Sequence, residues 1–75
     1  MTHPRPVHQL PPRKQEILTL LGQGLTYRQV AEKLVLAERT VRTHVSQAKE
    51  MTHVRTTIEM VVQLAVWRVR QGLEP

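Results

Sequence analysis

The chain has 75 residues and no cysteine, so it forms one small domain that neither a disulfide nor a thiolate-bound zinc ion stabilises. A domain of this size buries only about 60% of the surface that its unfolded chain exposes, which leaves self-association as a common source of further stability. Eleven Lys and Arg stand against six Glu and no Asp, for a formal net charge of +5, and this excess suggests a polyanionic partner such as nucleic acid.

The N-terminal part divides into an arm and a helix. Residues 1–9 carry prolines and histidines and are predicted to form a flexible N-terminal arm. Pro12 suits the first position of a helix, because its missing N–H would have no partner there. The periodic apolar residues that follow predict a first helix over residues 12–22, which ends at Gly22.

The next two segments form a pair. Thr26 and Gln29 have the T-x-x-Q spacing of a capping box, which opens a second helix over about residues 27–35. A short break leads to a third helix over about residues 38–51. Two helices joined by so tight a connection have the layout of a helix-turn-helix, whose second helix enters the major groove of DNA.

The third helix has two different sides. Apolar residues recur at i, i+4 and i+7 and form one narrow stripe of Val41, Val45 and Ala48. The opposite side carries cations and short hydrogen-bonding side chains, which suit base edges, since an arginine can bond guanine through O6 and N7. The alternative is an ordinary solvated face. We assign the base contacts to Arg42, Thr43 and Ser46.

Further cations of this pair are predicted to bind phosphates, which sets the register of a protein on DNA without reading its sequence. Glu38 and Glu50 lie at the two ends of the third helix, where a carboxylate either repels phosphate least or orients a neighbouring arginine. We assign the phosphate contacts to Arg28, Lys33 and Lys49, and with them to Thr26 and Arg39.

The last helix, predicted over residues 57–71, is apolar on two sides. Thr56 and Glu59 have the spacing of another capping box and open it. With successive residues placed 100° apart around the helix, one broad apolar stripe consists of Ile58, Val61, Val62, Ala65 and Val69. This stripe is expected to pack against the other three helices. The reverse side carries Met60, Leu64 and Trp67.

A second apolar face on a helix requires a partner. We therefore expect a homodimer whose interface consists of Met60, Leu64 and Trp67, with two recognition helices about one turn of DNA, or ~10 bp, apart. The alternative is that the arm, residues 1–9, folds back over Trp67. With one Tyr, one Trp and no Phe to fill a sheet interface, the predicted fold is all-α, a compact four-helix domain over residues 10–75 that contains the helix-turn-helix.

The middle of the chain resembles a known family. The segment that carries the resemblance reads LPPRKQEILTLLGQGLTYRQVAEKLVLAERTVRTHVSQAKEMTHVR, and its order G-x-T, V-A-x-x-L, T-V-R-T-H-V is specific. Over roughly residues 10–62 the chain resembles the LuxR/GerE-type helix-turn-helix, an output domain of response regulators and quorum-sensing regulators. The matching positions are Arg13, Glu16, Leu18, Leu21, Gly24, Ala31, Leu34, Thr40, Val41, His44, Val45, Val54 and Arg55.

This resemblance implies a sequence-specific transcriptional regulator that binds double-stranded DNA. It implies that the positions of Arg42, Thr43 and Ser46 face the bases, and that those of Thr40 and His44 lie near the DNA backbone or support the helix. Both are therefore added to the phosphate contacts. Ala37 departs from the family, which usually has Ser at the cap of this helix, so a donor is left uncapped.

Several other functions are weighed beside this one. A module resembling the promoter-reading region of sigma factors, in contact with RNA polymerase, also uses a helix-turn-helix. An anti-regulator would instead pair with a protein through helix 4 without binding DNA. The chain shows no receiver or ligand-binding domain, and a standalone regulator is expected before an excised output domain.

The remaining residues suggest no further chemistry. No metal or other cofactor is expected, because the four histidines lack a paired ligand spacing. No enzyme is expected, because the chain has no nucleophile–base pair, Gly-rich phosphate loop or paired carboxylates. No membrane contact is expected, because the cations are scattered and the most apolar stretch, residues 58–69, is shorter than the ~20 residues that a bilayer requires. Without a visible signal peptide, the expected location is the cytoplasm.

Overall fold

The computed structural model describes residues 3–72, which form four α-helices and no strand. A 3-10 turn over Val7–Gln9 precedes α1 (Pro12–Gly22), α2 (Tyr27–Leu34), α3 (Glu38–Thr52) and α4 (Thr57–Arg70). The predicted all-α fold is confirmed, and each predicted helix is observed to within one residue at either end. None of the helices in this range is both long and apolar enough to span a membrane.

The starts of α2 and α3 are capped differently. Thr26 and Gln29 form the predicted capping box: Thr26 Oγ1 accepts from Gln29 N at 3.1 Å, and Thr26 N donates to Gln29 Oε1 at 2.9 Å. Ala37 offers α3 no side-chain cap. The carboxylate of Glu38 lies in the first turn of α3, where the helix dipole favours negative charge.

The turn between α2 and α3 contains a residue in a rare backbone conformation. Val35 has φ 56° and ψ 49°, in the left-handed region, and it is 90% exposed. A β-branched residue seldom adopts this conformation, which costs about 1–2 kcal/mol. Leu36 N donates to Ala31 O at 2.8 Å across the turn and closes the end of α2. Val35 therefore ends α2 one residue earlier than predicted.

The centre of the domain is α1, which contacts each of the other three helices. Its Ile17 and Leu18 are fully buried, together with Val30 of α2 and Val41 of α3. These side chains belong to one continuous core. The core holds α2 and α3 beside each other and leaves the opposite side of α3 exposed.

The buried side of α4 is the reverse of the predicted one. Met60 and Leu64 are 0% and 1% exposed, and Trp67 is half-buried against the same core. The prediction that these three residues form an exposed interface is wrong. Most of the predicted covering stripe faces outward instead, with Ile58 76% and Val62 53% exposed, whereas Val61 is half-buried against the core.

Packing explains this orientation of α4. Both sides of the helix are apolar, so hydrophobic periodicity alone does not select between them. The buried side faces α1 and the 3-10 turn, and the longer side chains of Met60, Leu64 and Trp67 reach across that space. Valines are shorter, and an interior packed to crystal-like density favours the side that leaves no void.

The described part of the predicted arm packs on the domain. Arg5 N donates to Met51 O at 2.8 Å, and Val7 is buried in the core. The His8 ring stacks on Trp67, with ring centroids 4.8 Å apart and 4° between the ring planes. This differs from the flexible arm expected over residues 1–9 and matches the alternative in which the arm folds back over Trp67. Residues 1 and 2 of that arm lie outside the described residues.

Candidate nucleic-acid interface

The exposed side of α3 carries the predicted base contacts. Arg42, Thr43 and Ser46 are all exposed, as is Arg39. The opposite side is buried through Val41, Val45, Ala48 and Thr52. Because 3.6 residues make one helical turn, burial of that stripe necessarily turns the polar residues outward together.

Thr43 presents a particular set of groups to a partner. Its Oγ1 donates to Arg39 O at 3.0 Å, within α3. Because the hydroxyl proton is used inside the helix, the methyl group and the oxygen lone pairs of Thr43 remain for a partner. A methyl group suits thymine, and a lone pair suits the amino group of adenine or cytosine.

Arg42 is held between α2 and α3. The Cζ atom of its guanidinium lies 4.5 Å from the centroid of the Tyr27 ring, over the ring face. Its Nη2 lies 3.8 Å from Glu38 Oε1, one turn earlier in α3. The guanidinium thus has an aromatic contact on one side and a carboxylate near its edge, although the side chain stays largely exposed.

The predicted phosphate contacts do not all lie together. Thr26 and the exposed Arg28 are at the N-terminal end of α2, the positive end of its dipole. Lys33 lies in the last turn of α2, about 7.5 Å beyond Arg28 along the helix axis. In α3, Arg39 and Thr40 lie in the first turn, whereas Lys49 lies near the C-terminal end and is half-buried.

His44 contacts α1. Lys14 Nζ lies 3.0 Å from His44 Nδ1 and donates to Gln47 Oε1 at 2.9 Å. A lysine ammonium has only donors, so His44 Nδ1 is the acceptor and the imidazole hydrogen is on Nε2. Partial burial lowers the pKa of His44, and the charges of Lys14 and Arg13 lower it further. His44 therefore ties α3 to α1 as a neutral ring, and its remaining donor is Nε2–H.

We expect the domain to lose stability as the pH falls below about 6.5, the ordinary pKa of histidine. Because the pKa of His44 is lower in the folded protein, the unfolded chain binds the proton first, and stability is lost as the pH falls through the folded pKa. His44→Gln removes this contribution, so the free energy of unfolding, measured by urea titration, should vary less with pH. His3→Gln, at an exposed histidine, is the control. Parallel pH curves for His44→Gln and the wild type would contradict the assignment.

Sequence reasoning missed two residues that contact the side chains of α3, Tyr27 and Lys14. Tyr27 is the first residue of α2, within the capping box formed by Thr26 and Gln29. This box was the signal that placed Tyr27 at the start of the helix that pairs with α3. Lys14 is buried on the side of α1 that carries Ile17 and Leu18, at i−3 and i−4 from them. A lysine in that apolar stripe is a signal that a polar partner lies opposite it.

Comparisons with known proteins agree with this geometry. The sequence matches the family described as Sigma-70, region 4, over residues 7–51. That range contains α1, α2 and all but the last residue of α3. The match therefore covers the helix pair and the helix that supports it.

The chain is also similar to individual bacterial proteins. It is 36% identical to the nitrate/nitrite response regulator protein NarL of Escherichia coli (strain K12) over 61 residues, which cover 81% of this chain and 28% of NarL. It is 37% identical to the transcriptional regulatory protein LnrK of Bacillus subtilis (strain 168) over 70 residues, which cover 93% of this chain and 30% of LnrK. With the spore germination protein GerE of Bacillus subtilis (strain 168) it shares 36% identity over 52 residues, which cover 69% of this chain and 70% of GerE. The chain thus spans less than a third of the two longer relatives.

Proposed function

The chain belongs to the LuxR/GerE-type family of helix-turn-helix DNA-binding domains, and on this basis we propose that it is a sequence-specific regulator of transcription that reads double-stranded DNA with α3. The observation that carries the proposal is the exposed side of α3, where Arg42, Thr43 and Ser46 lie together on the second helix of the pair. The net charge of +5 supports it, because phosphate binding supplies much of the affinity for DNA. We place the protein in the cytoplasm, with the bacterial chromosome.

The experiment that tests the proposal is the selection of bound sequences from random DNA duplexes. A sequence-specific regulator enriches one motif, and a homodimer enriches two half-sites about one turn, or ~10 bp, apart. Recovery of no motif would contradict sequence-specific binding. The same selection would supply the target sequence.

Arg42→Ala is expected to weaken binding to the selected site by about 1–3 kcal/mol and to relax the preference at one base pair. The reason is that an arginine bonds guanine through two donors at once, and alanine offers none. Competition titrations with the selected site and with random duplex measure the two affinities. If the ratio of specific to random binding equals that of the wild type, Arg42 does not read a base.

Arg28→Ala is expected to weaken binding to all sequences alike, because a phosphate contact carries no sequence information. The slope of log affinity against log salt concentration should become shallower by about one unit. Arg5→Ala is the matched control, since Arg5 is an exposed cation whose backbone binds near the C-terminal end of α3. A slope that Arg28→Ala leaves unchanged would remove this residue from the interface.

The proposal includes a homodimer through α4, by a different face from the one predicted from the sequence. The exposed stripe, as we call it below, consists of Ile58, Val62, Ala65, Val66 and Val69. It runs along nearly the full length of α4, about 17 Å. An apolar surface of this kind on a small DNA-binding domain is well suited to a second copy, because two-fold pairing buries the same stripe on both.

The charges beside the exposed stripe favour antiparallel pairing. Glu59 and Arg70 are exposed on the same flank of α4, at about 100° and 120° from Ile58, near opposite ends of the helix. A two-fold axis across α4 reverses the helix and keeps each flank on its side. This operation brings Glu59 next to Arg70 of the partner subunit, whereas parallel pairing would place the two flanks on opposite sides.

The match to sigma-70 region 4 favours a second candidate function, promoter recognition together with RNA polymerase. It predicts that the protein binds core polymerase in the absence of DNA. A pull-down with purified core enzyme distinguishes it from a regulator that binds DNA alone. An anti-regulator acting through α4 would instead bind a protein partner with an affinity that hardly depends on salt.

A further inference from the structure

The contact between Arg42 and Tyr27 joins the two helices of the pair. Tyr27 is half-buried and packs against the core, and the capping box at Thr26 and Gln29 fixes the backbone just before and after it. The ring is therefore a fixed surface, whereas the arginine above it is largely exposed. The fixed Tyr27 ring therefore orients the more flexible Arg42 side chain.

Stacking restrains the guanidinium without using its hydrogen bonds. A guanidinium commonly stacks on an aromatic face, and in that arrangement its N–H donors point outward in its own plane. The second restraint, Glu38 Oε1 at 3.8 Å from Nη2, is longer than a hydrogen bond and commits no donor. Arg42 is thus held in one place with its donors available to a partner.

Such a restraint matters for reading a base and much less for binding a phosphate. Bidentate recognition of guanine requires the guanidinium plane to lie in the plane of the base pair. A phosphate accepts hydrogen bonds from many directions, so a freely moving arginine serves nearly as well.

We propose that Tyr27 is a specificity-determining residue, which positions the guanidinium of Arg42 for one base pair without touching DNA bases itself. The inference rests on the proposed function, because it presupposes that α3 reads DNA. It assigns a role to the first residue of α2, the helix of the pair that does not enter the groove.

The test is the selection from random duplexes, run in parallel for the wild type, Tyr27→Leu, Tyr27→Phe and Arg42→Ala. Tyr27→Leu keeps an apolar side chain and removes the π face, and Tyr27→Phe keeps that face. Tyr27→Leu should lower the preference at the base pair that Arg42→Ala also affects by about two- to fivefold, the range for an exposed cation–π contact, with unchanged affinity for random duplex. Tyr27→Phe should select the wild-type motif. In the double variant Tyr27→Leu/Arg42→Ala, the first change should add no further loss at that base pair.

Three outcomes separate the possibilities. If the wild type enriches no motif, the proposed function fails. If the wild type enriches a motif that Tyr27→Leu retains at every position, or loses equally at all of them, the role of Tyr27 fails. If Tyr27→Leu lowers the helix content, NMR of the free protein tests the contact between Tyr27 and Arg42 directly. The ring current of the aromatic residue should shift the Arg42 side-chain protons upfield in the wild type and in Tyr27→Phe. Their absence from upfield positions in the wild type would overturn the inference.

Discussion

Leu64→Ala is expected to lower the free energy of unfolding by about 2–5 kcal/mol, the range for a buried leucine that leaves a cavity. Leu64 is 1% exposed and packs between α4 and the central helix α1. A domain of this length has a free energy of unfolding of roughly 4–11 kcal/mol. If the wild type lies near the lower end of that range, the variant should be partly unfolded at room temperature. Urea denaturation followed by circular dichroism measures the loss.

Gln63→Ala is the matched control for this prediction. Gln63 precedes Leu64 in α4 and is exposed, outside both the core and the exposed stripe. Its replacement should change the free energy of unfolding by no more than about 0.5 kcal/mol. Similar losses for the two variants would mean that α4 does not bury the side of Met60 and Leu64.

Val62→Glu is expected to convert the proposed homodimer into a folded monomer. Val62 lies near the middle of the exposed stripe and is 53% exposed in the single chain, so a charge there leaves the core intact. Two-fold symmetry places two such carboxylates in one apolar interface, where neither has a partner. Sedimentation should show a dimer for the wild type and a monomer for the variant, both at tens of micromolar.

The same variant should bind a two-half-site duplex about 10²–10⁴-fold more weakly, because the second half-site is then no longer bound by a linked domain. Gln63→Glu is the control, since it adds the same charge at the neighbouring exposed position. Its effect isolates the repulsion between added charge and DNA. A wild type that is monomeric at tens of micromolar, or a Val62→Glu protein that remains dimeric, would contradict pairing through α4.

The helices of this domain could be predicted from the sequence because residues close to each helix end determine where it begins or stops. The capping box at Thr26 and Gln29 and the proline at position 12 each mark a start that depends on no distant residue. The exposed side of α3 could also be predicted, because a single apolar stripe leaves only one orientation of the helix. The side that α4 buries could not be predicted, because α4 has two apolar stripes and the shape of the core determines which of them is buried.

The contacts that other helices make with the side chains of α3 were not predicted. Tyr27 and Lys14 reach Arg42 and His44 from α2 and α1, and such pairings depend on how the helices are packed. The N-terminal segment was misjudged for a similar reason. Val7 lies among prolines and histidines and is buried in the core, and a single buried side chain produces no periodic pattern.

The left-handed valine between α2 and α3 bears on how the domain folds. At Val35 the local preference of the chain opposes the turn, so α2 and α3 receive no help from their own connection in coming together. Their arrangement depends on α1, whose side chains pack against both helices. We therefore expect that the pair does not fold as an autonomous unit. We expect it instead to fold cooperatively with the whole domain, so that a loss of the core is also a loss of the surface proposed to read DNA.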